Sequence, residues 1–163
     1  VTMVFFGFFY VAVMLSYVWQ LRNGDGGAYL VWLVFIGSWG SDTCAYLVGR
    51  KFGRHKIVPK LSPKKSLEGC IGGVAGAAAL GALFAAVFSE ELTIFTSPIL
   101  SCALMGAASS VLSQLGDWAA SAIKRNYDVK DYGTLIPGHG GIMDRFDSVI
   151  FTAPVIYYLA QLL

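Results

Sequence analysis

Residues 69–88 read Gly-Cys-Ile-Gly-Gly-Val-Ala-Gly-Ala-Ala-Ala-Leu-Gly-Ala-Leu-Phe-Ala-Ala-Val-Phe, twenty positions without a charge. At 1.5 Å per residue, an α-helix of that length covers the roughly 30 Å of hydrocarbon in a bilayer. Gly69, Gly73, Ala77 and Gly81 recur at every fourth position, and Gly72 with Gly76 sets a second small-residue pair beside them. Lipid tails are as apolar as leucine, so helices in a membrane associate through close van der Waals contact, which such stripes permit. The stretch predicts a spanning helix packed in a bundle or against a second copy of the chain.

Four further segments have comparable length and apolarity, at residues 1–21, 28–48, 98–123 and 142–163. The expected fold is therefore all-α, a polytopic transmembrane bundle with about five spanning helices. Composition agrees: 56% of the 163 residues are hydrophobic and 13% charged, where a soluble domain has about a quarter charged. The mean hydropathy is +0.62. Cys44, Cys70 and Cys102 match neither zinc nor Cys-x2-Cys redox spacing and read as small buried apolar residues. With neither a basic leader nor a cleavage site before the first apolar run, a removable signal peptide is not expected.

The charges are unevenly placed. Seven of the twelve Lys and Arg lie between Arg50 and Lys65, four between Lys124 and Arg145, and only Arg22 elsewhere. By the positive-inside tendency, the connectors at 49–68 and 124–141 face the cytoplasm. Asp42, Asp117, Asp144 and Asp147 fall at the ends of predicted spans on that same face. A charge deeper in the membrane costs about 2.5–3.5 kcal/mol on insertion scales, so a cluster at one depth needs a reason. Ser113, Asp117, Ser121 and Lys124 or Arg125 follow at helical spacing, and Asp144, Asp147 and Ser148 share a face of the last span. Between them, residues 124–141 mix Lys124, Arg125 and Lys130 with Gly138, His139, Gly140 and Gly141. Cations and bare backbone N–H groups receive phosphate oxygens, and Mg²⁺ takes one or two carboxylates with phosphates and water completing its shell. The pattern points to a Mg²⁺–nucleotide site. Ser62, Lys64, Lys65 and Ser66 could hold phosphates of a nucleotide or of a lipid head group, while His55, among basic residues, reads as a surface residue.

The run Ser121-x-Ile-Lys-Arg-x4-Lys-Asp-x-Gly-x2-Ile-Pro-x-His-Gly-Gly-Ile-x-Asp-Arg-Phe-Asp147 resembles the signature of the phosphatidate cytidylyltransferase family. Ser41-Asp42-Thr43-x-Ala-Tyr-x2-Gly-Arg50, the Ser-Pro-Lys-Lys-Ser-x-Glu-Gly run ending at Gly69, and Gly116-Asp117 resemble further segments of that family. The resemblance implies transfer of CMP from CTP to phosphatidic acid, giving CDP-diacylglycerol and pyrophosphate. It implies Asp117, Asp144, Lys124 and His139 as the catalytic group, with Mg²⁺ on Asp117 and Asp144 and with Asp147 assisting, and it allows a second cation. Lys124, Arg125, Lys130 and His139 would meet nucleotide phosphates, Ser121 would add a hydrogen bond, and Lys64, Lys65 and Arg145 would meet a phosphate of either substrate. It also implies that the chain is one C-terminal membrane catalytic domain, 1–163, lacking N-terminal helices of the family architecture, set in a bacterial inner membrane with its site cytoplasmic. Membrane lipids and a homodimer partner are expected; nucleic acid is not.

Two other activities would use similar residues. A CTP-dependent polyprenol or lipid kinase would transfer the terminal phosphoryl group and release CDP. An ion or solute transporter would use Asp42, Asp117 and Asp144 along a polar path, but would want them at mid-membrane depth.

Overall fold

A computed structural model describes residues 5, 7–58, 62, 65–129, 131–133 and 140–163. Among them five helical rods follow one another, with no strand and one isolated bridge between Lys56 and Ser66. Helix α1 is Phe8–Val13, in π-helical geometry, continued by Met14–Arg22. Helix α2 is Gly27–Phe52, with a π-helical stretch at Ile36–Gly40. Helices α3, α4 and α5 are Leu67–Val87, Pro98–Asn126 and Met143–Leu162.

The chain is thus an all-helical integral membrane protein, as the apolar blocks predict. Among the described residues α2, α3 and α4 are long and apolar enough to cross a bilayer. Helix α5 opens on Asp144, Arg145 and Asp147 and is correspondingly more polar. Two helices outrun their predicted ends: α2 continues past 48 to Phe52 and α4 past 123 to Asn126. The added turns carry Arg50 and Lys51, and Lys124 and Arg125. Cations at a helix C-terminus complement its dipole, so these turns remain helical beyond the apolar segment.

Local chemistry fixes the other boundaries. Ser66 caps α3 by accepting a 3.2 Å hydrogen bond from the Gly69 N–H, and Pro98 starts α4 where its missing N–H costs nothing. Asp128, at φ 52°, takes the left-handed conformation just past α4, a position that Asp tolerates better than most residues. Sequential helices alternate in direction. The C-terminal ends of α2 and α4 therefore meet the N-terminal ends of α3 and α5 at one end of the bundle.

Helix α3 is held between α2 and α4 by its lack of side chains. Gly69, Gly73, Ala77, Gly81 and Ala85 are its buried residues, one unbroken stripe. A methyl placed on Gly81 would lie 2.4 Å from the Cys102 carbonyl oxygen, and one on Gly106 of α4 would lie 2.5 Å from that of Ala77. On the α2 side, Gly72 faces Val48 and Gly76 faces Cys44. The small-residue stripe is engaged within the chain, so of its two sequence readings the bundle accounts for it. Polar bonds join the helices across the same layer: Ser38 with Ser148 at 2.9 Å, Ser41 with Ser110 at 2.6 Å, and the Gln114 amide donating to the Cys70 carbonyl at 3.1 Å. Toward the opposite end, Leu30, Leu33 and Val34 of α2 pack in one buried cluster with Met105 of α4 and Val149, Ala153 and Ile156 of α5. Tyr17 and Tyr158, hydroxyls 2.8 Å apart, help tie α1 to α5.

Gly81→Ala should destabilise the bundle by about 1–3 kcal/mol, because the obstructing group is backbone and cannot rotate away. Thermal unfolding in detergent checks this, with Gly7→Ala, where a methyl meets nothing within 4 Å, expected to leave the transition unchanged or slightly raised.

Candidate active site

The carboxylates singled out from sequence come from three helices: Asp42 from α2, Asp117 from α4, and Asp144 and Asp147 from α5. The π-helical turn at Ile36–Gly40 precedes the first of them. It sets both Ser38 and Ser41 wholly inside the bundle, bonded to α5 and α4, with Asp42 next in chain. Asp42, Asp117 and Asp147 lie within electrostatic reach of one another. Asp147 is buried and accepts from the Ser148 N–H at 2.8 Å.

Two lysines are threaded among these acids. Lys65, from the connector before α3, pairs with Asp117 and also lies over the Trp118 ring, 5.7 Å from its centroid. Lys124 donates to Asp144 Oδ1 at 2.9 Å, with only 12% and 4% of the two side chains exposed. The other oxygen of Asp144 accepts the backbone N–H groups of Tyr132 at 2.8 Å and Gly141 at 2.9 Å. Asp144 therefore fastens the ends of the second basic connector to the start of α5. Tyr132 also donates its hydroxyl to the Ala120 carbonyl at 3.2 Å. Burial pushes this phenol above its ordinary range, against the opposing pull of Lys124, so it stays a donor. Gly140, at φ 83°, lies beside the Asp144 carboxylate; a side chain there would be strained in conformation.

The first basic connector is fastened in a similar way. Glu68 in the first turn of α3 accepts from the Arg54 N–H at 3.1 Å and the His55 N–H at 3.3 Å, and bonds His55 Nδ1 at 2.7 Å. His55 is exposed, as its sequence reading has it. Between this connector and helices α2, α3 and α4 lies a cavity of about 510 Å³. Asp42, Asp117, Arg50, Lys56, Lys65 and Ser62 line it, with Gln114 at its inner wall.

Of the sequence-predicted residues, then, the fold brings together Asp117 with Lys65, and Asp144 with Lys124, and sets Asp147 between them. Arg125 stands at the exposed end of α4, its guanidinium 3.5 Å from the Val129 carbonyl. Arg145 is exposed, and its carbonyl accepts from the Trp39 indole at 3.1 Å. Ser121 is half-buried on α4. Lys64, Lys130 and His139 lie outside the described residues. Sequence reasoning missed Gln114, Ser110, Arg50 and Lys56 as parts of this region. The available signal for Gln114 was an amide about one turn before Asp117, next to Ser113 of the polar stripe.

Among the described residues no three His, Cys, Asp or Glu side chains converge closely enough to hold a metal ion by themselves. Asp117, with Asp42 and Asp147 in electrostatic reach, instead fits an ion that takes one or two carboxylates and completes its shell with water and phosphate oxygens.

Fold and site together define a membrane-embedded helix bundle with an acidic and basic cavity at one end. The cytidylyltransferase family model matches residues 1–163, and the chain belongs to that family. It is 39% identical over 154 residues to the phosphatidate cytidylyltransferase of Bacillus subtilis, covering 94% of this chain and 55% of that protein. The phosphatidate cytidylyltransferase of Thermotoga maritima is likewise 39% identical over 154 residues, 94% of this chain and 57% of its own. That of Rickettsia felis is 35% identical over 165 residues, 96% of this chain and 69% of its own. The chain thus spans little more than half the length of the first two relatives.

Removing the Asp144 carboxylate should release three donors at once. In Asp144→Ala, amide hydrogen exchange at Tyr132 and Gly141 should accelerate about tenfold or more, since a lost hydrogen bond to a charged group is worth roughly 1.5–3 kcal/mol. Mass-resolved exchange on the detergent-solubilised protein reads this directly, and exchange across residues 67–87 should not change.

Proposed function

We propose that the chain is the C-terminal catalytic domain of a phosphatidate cytidylyltransferase, joining CMP from CTP to phosphatidic acid. The observation that carries this reading is the alternation of Asp42, Asp117, Asp144 and Asp147 with Lys65 and Lys124 at one end of the bundle, in a chain of the cytidylyltransferase family. Acids and bases paired with one another in this way are also the groups that a metal–triphosphate and a lipid phosphate require.

In the proposed reaction an oxygen of the lipid phosphate attacks the α-phosphorus of CTP. A new P–O bond forms, the bond between the α-phosphorus and its bridging oxygen to the β-phosphate breaks, and pyrophosphate leaves. The phosphate oxygens exchanged carry their own charge, so the protein's part is positioning and charge neutralisation. Asp117 and Asp144 would hold Mg²⁺, Asp144 on exchange of its present donors, with Asp147 assisting. The ion, when bound, supplies charge neutralisation at the triphosphate. Lys65 and Lys124, released from Asp117 and Asp144, would neutralise phosphate oxygens of the two substrates. Arg125, Lys130, His139, Lys64 and Arg145 remain assigned to phosphate contacts, and Ser121 to a hydrogen bond, on the family signature. The acyl chains stay in the bilayer, the site opens to the cytoplasm of a bacterial cell, and CTP arrives from water.

Product analysis tests the proposal in a full-length protein that includes this chain. With Mg²⁺, CTP and phosphatidic acid, CDP-diacylglycerol and pyrophosphate should form in equal amounts. Asp117→Asn should lower the rate at least about a hundredfold, as loss of a group that stabilises transferring charge does. Chelation should abolish turnover and added Mg²⁺ restore it. Release of CDP, or full activity of the folded variant, would overturn the assignment.

A further inference from the structure

Beside the acidic cavity runs a second, apolar one. It is a groove of about 470 Å³ between α3 and α4, lined by Ile71, Val74, Ala75, Val111, Leu115 and Trp118 among others. The two adjoin: Cys70 and Gln114 line both. Its floor on α3 is low because Ala75 and Ala78 stand there, and its walls are large apolar side chains. Ile71, Ala75, Val111 and Leu115 are exposed, as groups on an outer face of the bundle.

Three observations at the junction bear on what would lie across it. Lys65 sits over the Trp118 ring, so a cation suited to phosphate and the wall of the groove are in contact. The Trp118 indole N–H is buried and has no acceptor among the described residues, and a buried donor ordinarily has one. Gln114 donates its amide nitrogen to the Cys70 carbonyl at 3.1 Å, joining the two helices at the boundary that both spaces share. A charged cation, the indole that it covers and an apolar trough thus adjoin one another. A phosphorylated diacyl lipid carries both counterparts, a phosphate for the cation and an acyl chain for the trough.

We infer that the α3–α4 groove receives one acyl chain of the lipid substrate and sets the enzyme's chain preference, with Trp118 and Ala75 as specificity-determining residues. The inference rests on the catalytic reading above and adds to it the place of the chain. Small residues in the floor admit the chain; a larger side chain at Ala75 shortens the trough without touching Asp117 or Lys65.

The test uses full-length protein and an equimolar mixture of dioctanoyl and dioleoyl phosphatidic acid, with the CDP-lipid products resolved by mass. Ala75→Phe should lower the ratio of long-chain to short-chain product about tenfold, the discrimination expected of a one- or two-methylene steric change in an apolar pocket. The KM for CTP should be unaltered. As a second measurement, phosphatidic acid with a diazirine near the middle of one chain should label α3 or α4 peptides containing Val74 or Val111, with unlabelled phosphatidic acid competing and phosphatidylcholine not. An unchanged product ratio in an active Ala75→Phe, or labelling that phosphatidylcholine competes equally, overturns the inference and leaves the catalytic reading standing. A wild-type protein that makes no CDP-lipid from either substrate overturns that reading and the inference with it.

Discussion

The approach of bare helix backbones around α3 is the constraint on which the rest of this structure depends. At Gly81 and Gly106 the spacing is set by carbonyl oxygens of the facing helix, with no room for a methyl. In lipid, no hydrophobic force draws helices together, so the close contact must come from shape and from polar bonds that tolerate no slack. Because α3 is thin along that stripe, α2 and α4 come near enough for Ser41 and Ser110 to bond directly at 2.6 Å. The same registration brings Asp42, next to Ser41, and Asp117, two turns beyond Ser110, within reach of each other.

What is built at that end is an economy of charge. Four carboxylates placed beside a membrane would repel one another and shed favourable hydration. Lys65 and Lys124 offset this by direct pairing, and backbone N–H groups at Tyr132, Gly141 and Ser148 take up further acceptor capacity. The paired state also does structural work, since Asp144 and Glu68 each fasten a basic connector to the start of the following helix. Folding and ligand chemistry therefore draw on overlapping groups. A ligand that carries its own cation and anion can replace both halves of such pairs together, with little change in net charge.

Much of this was legible in the chain. The uncharged run at 69–88 and its fourfold small-residue spacing predicted both a span and its packing face, because that spacing has a direct steric meaning. That Asp42, Asp117, Asp144 and Asp147 gather at one end of the bundle could be read from where apolar segments end. Less legible were the π-helical turns at Phe8–Val13 and Ile36–Gly40, which have no signature in periodicity. The helix ends beyond 48 and 123 were missed because apolarity marks where hydrocarbon stops, while the hydrogen-bond ladder of a helix continues into water. Pairing was also hidden: that Lys65 meets Asp117, 52 positions away, follows only from the antiparallel packing of α2, α3 and α4. Gln114 went unread because its contact with the Cys70 carbonyl, which sets it beside both cavities, lies 44 positions away in sequence.

The central claim is that the acids at this end of the bundle form, with a nucleotide triphosphate, one divalent-ion site. Electron paramagnetic resonance of Mn²⁺ bound to a full-length protein that includes this chain tests it most directly, recorded with and without CTP before any turnover. The account predicts a protein-bound Mn²⁺ signal that tightens and changes on adding CTP, and that is lost in Asp117→Asn while the variant keeps its thermal unfolding transition. A bound signal indifferent both to CTP and to Asp117→Asn would contradict it.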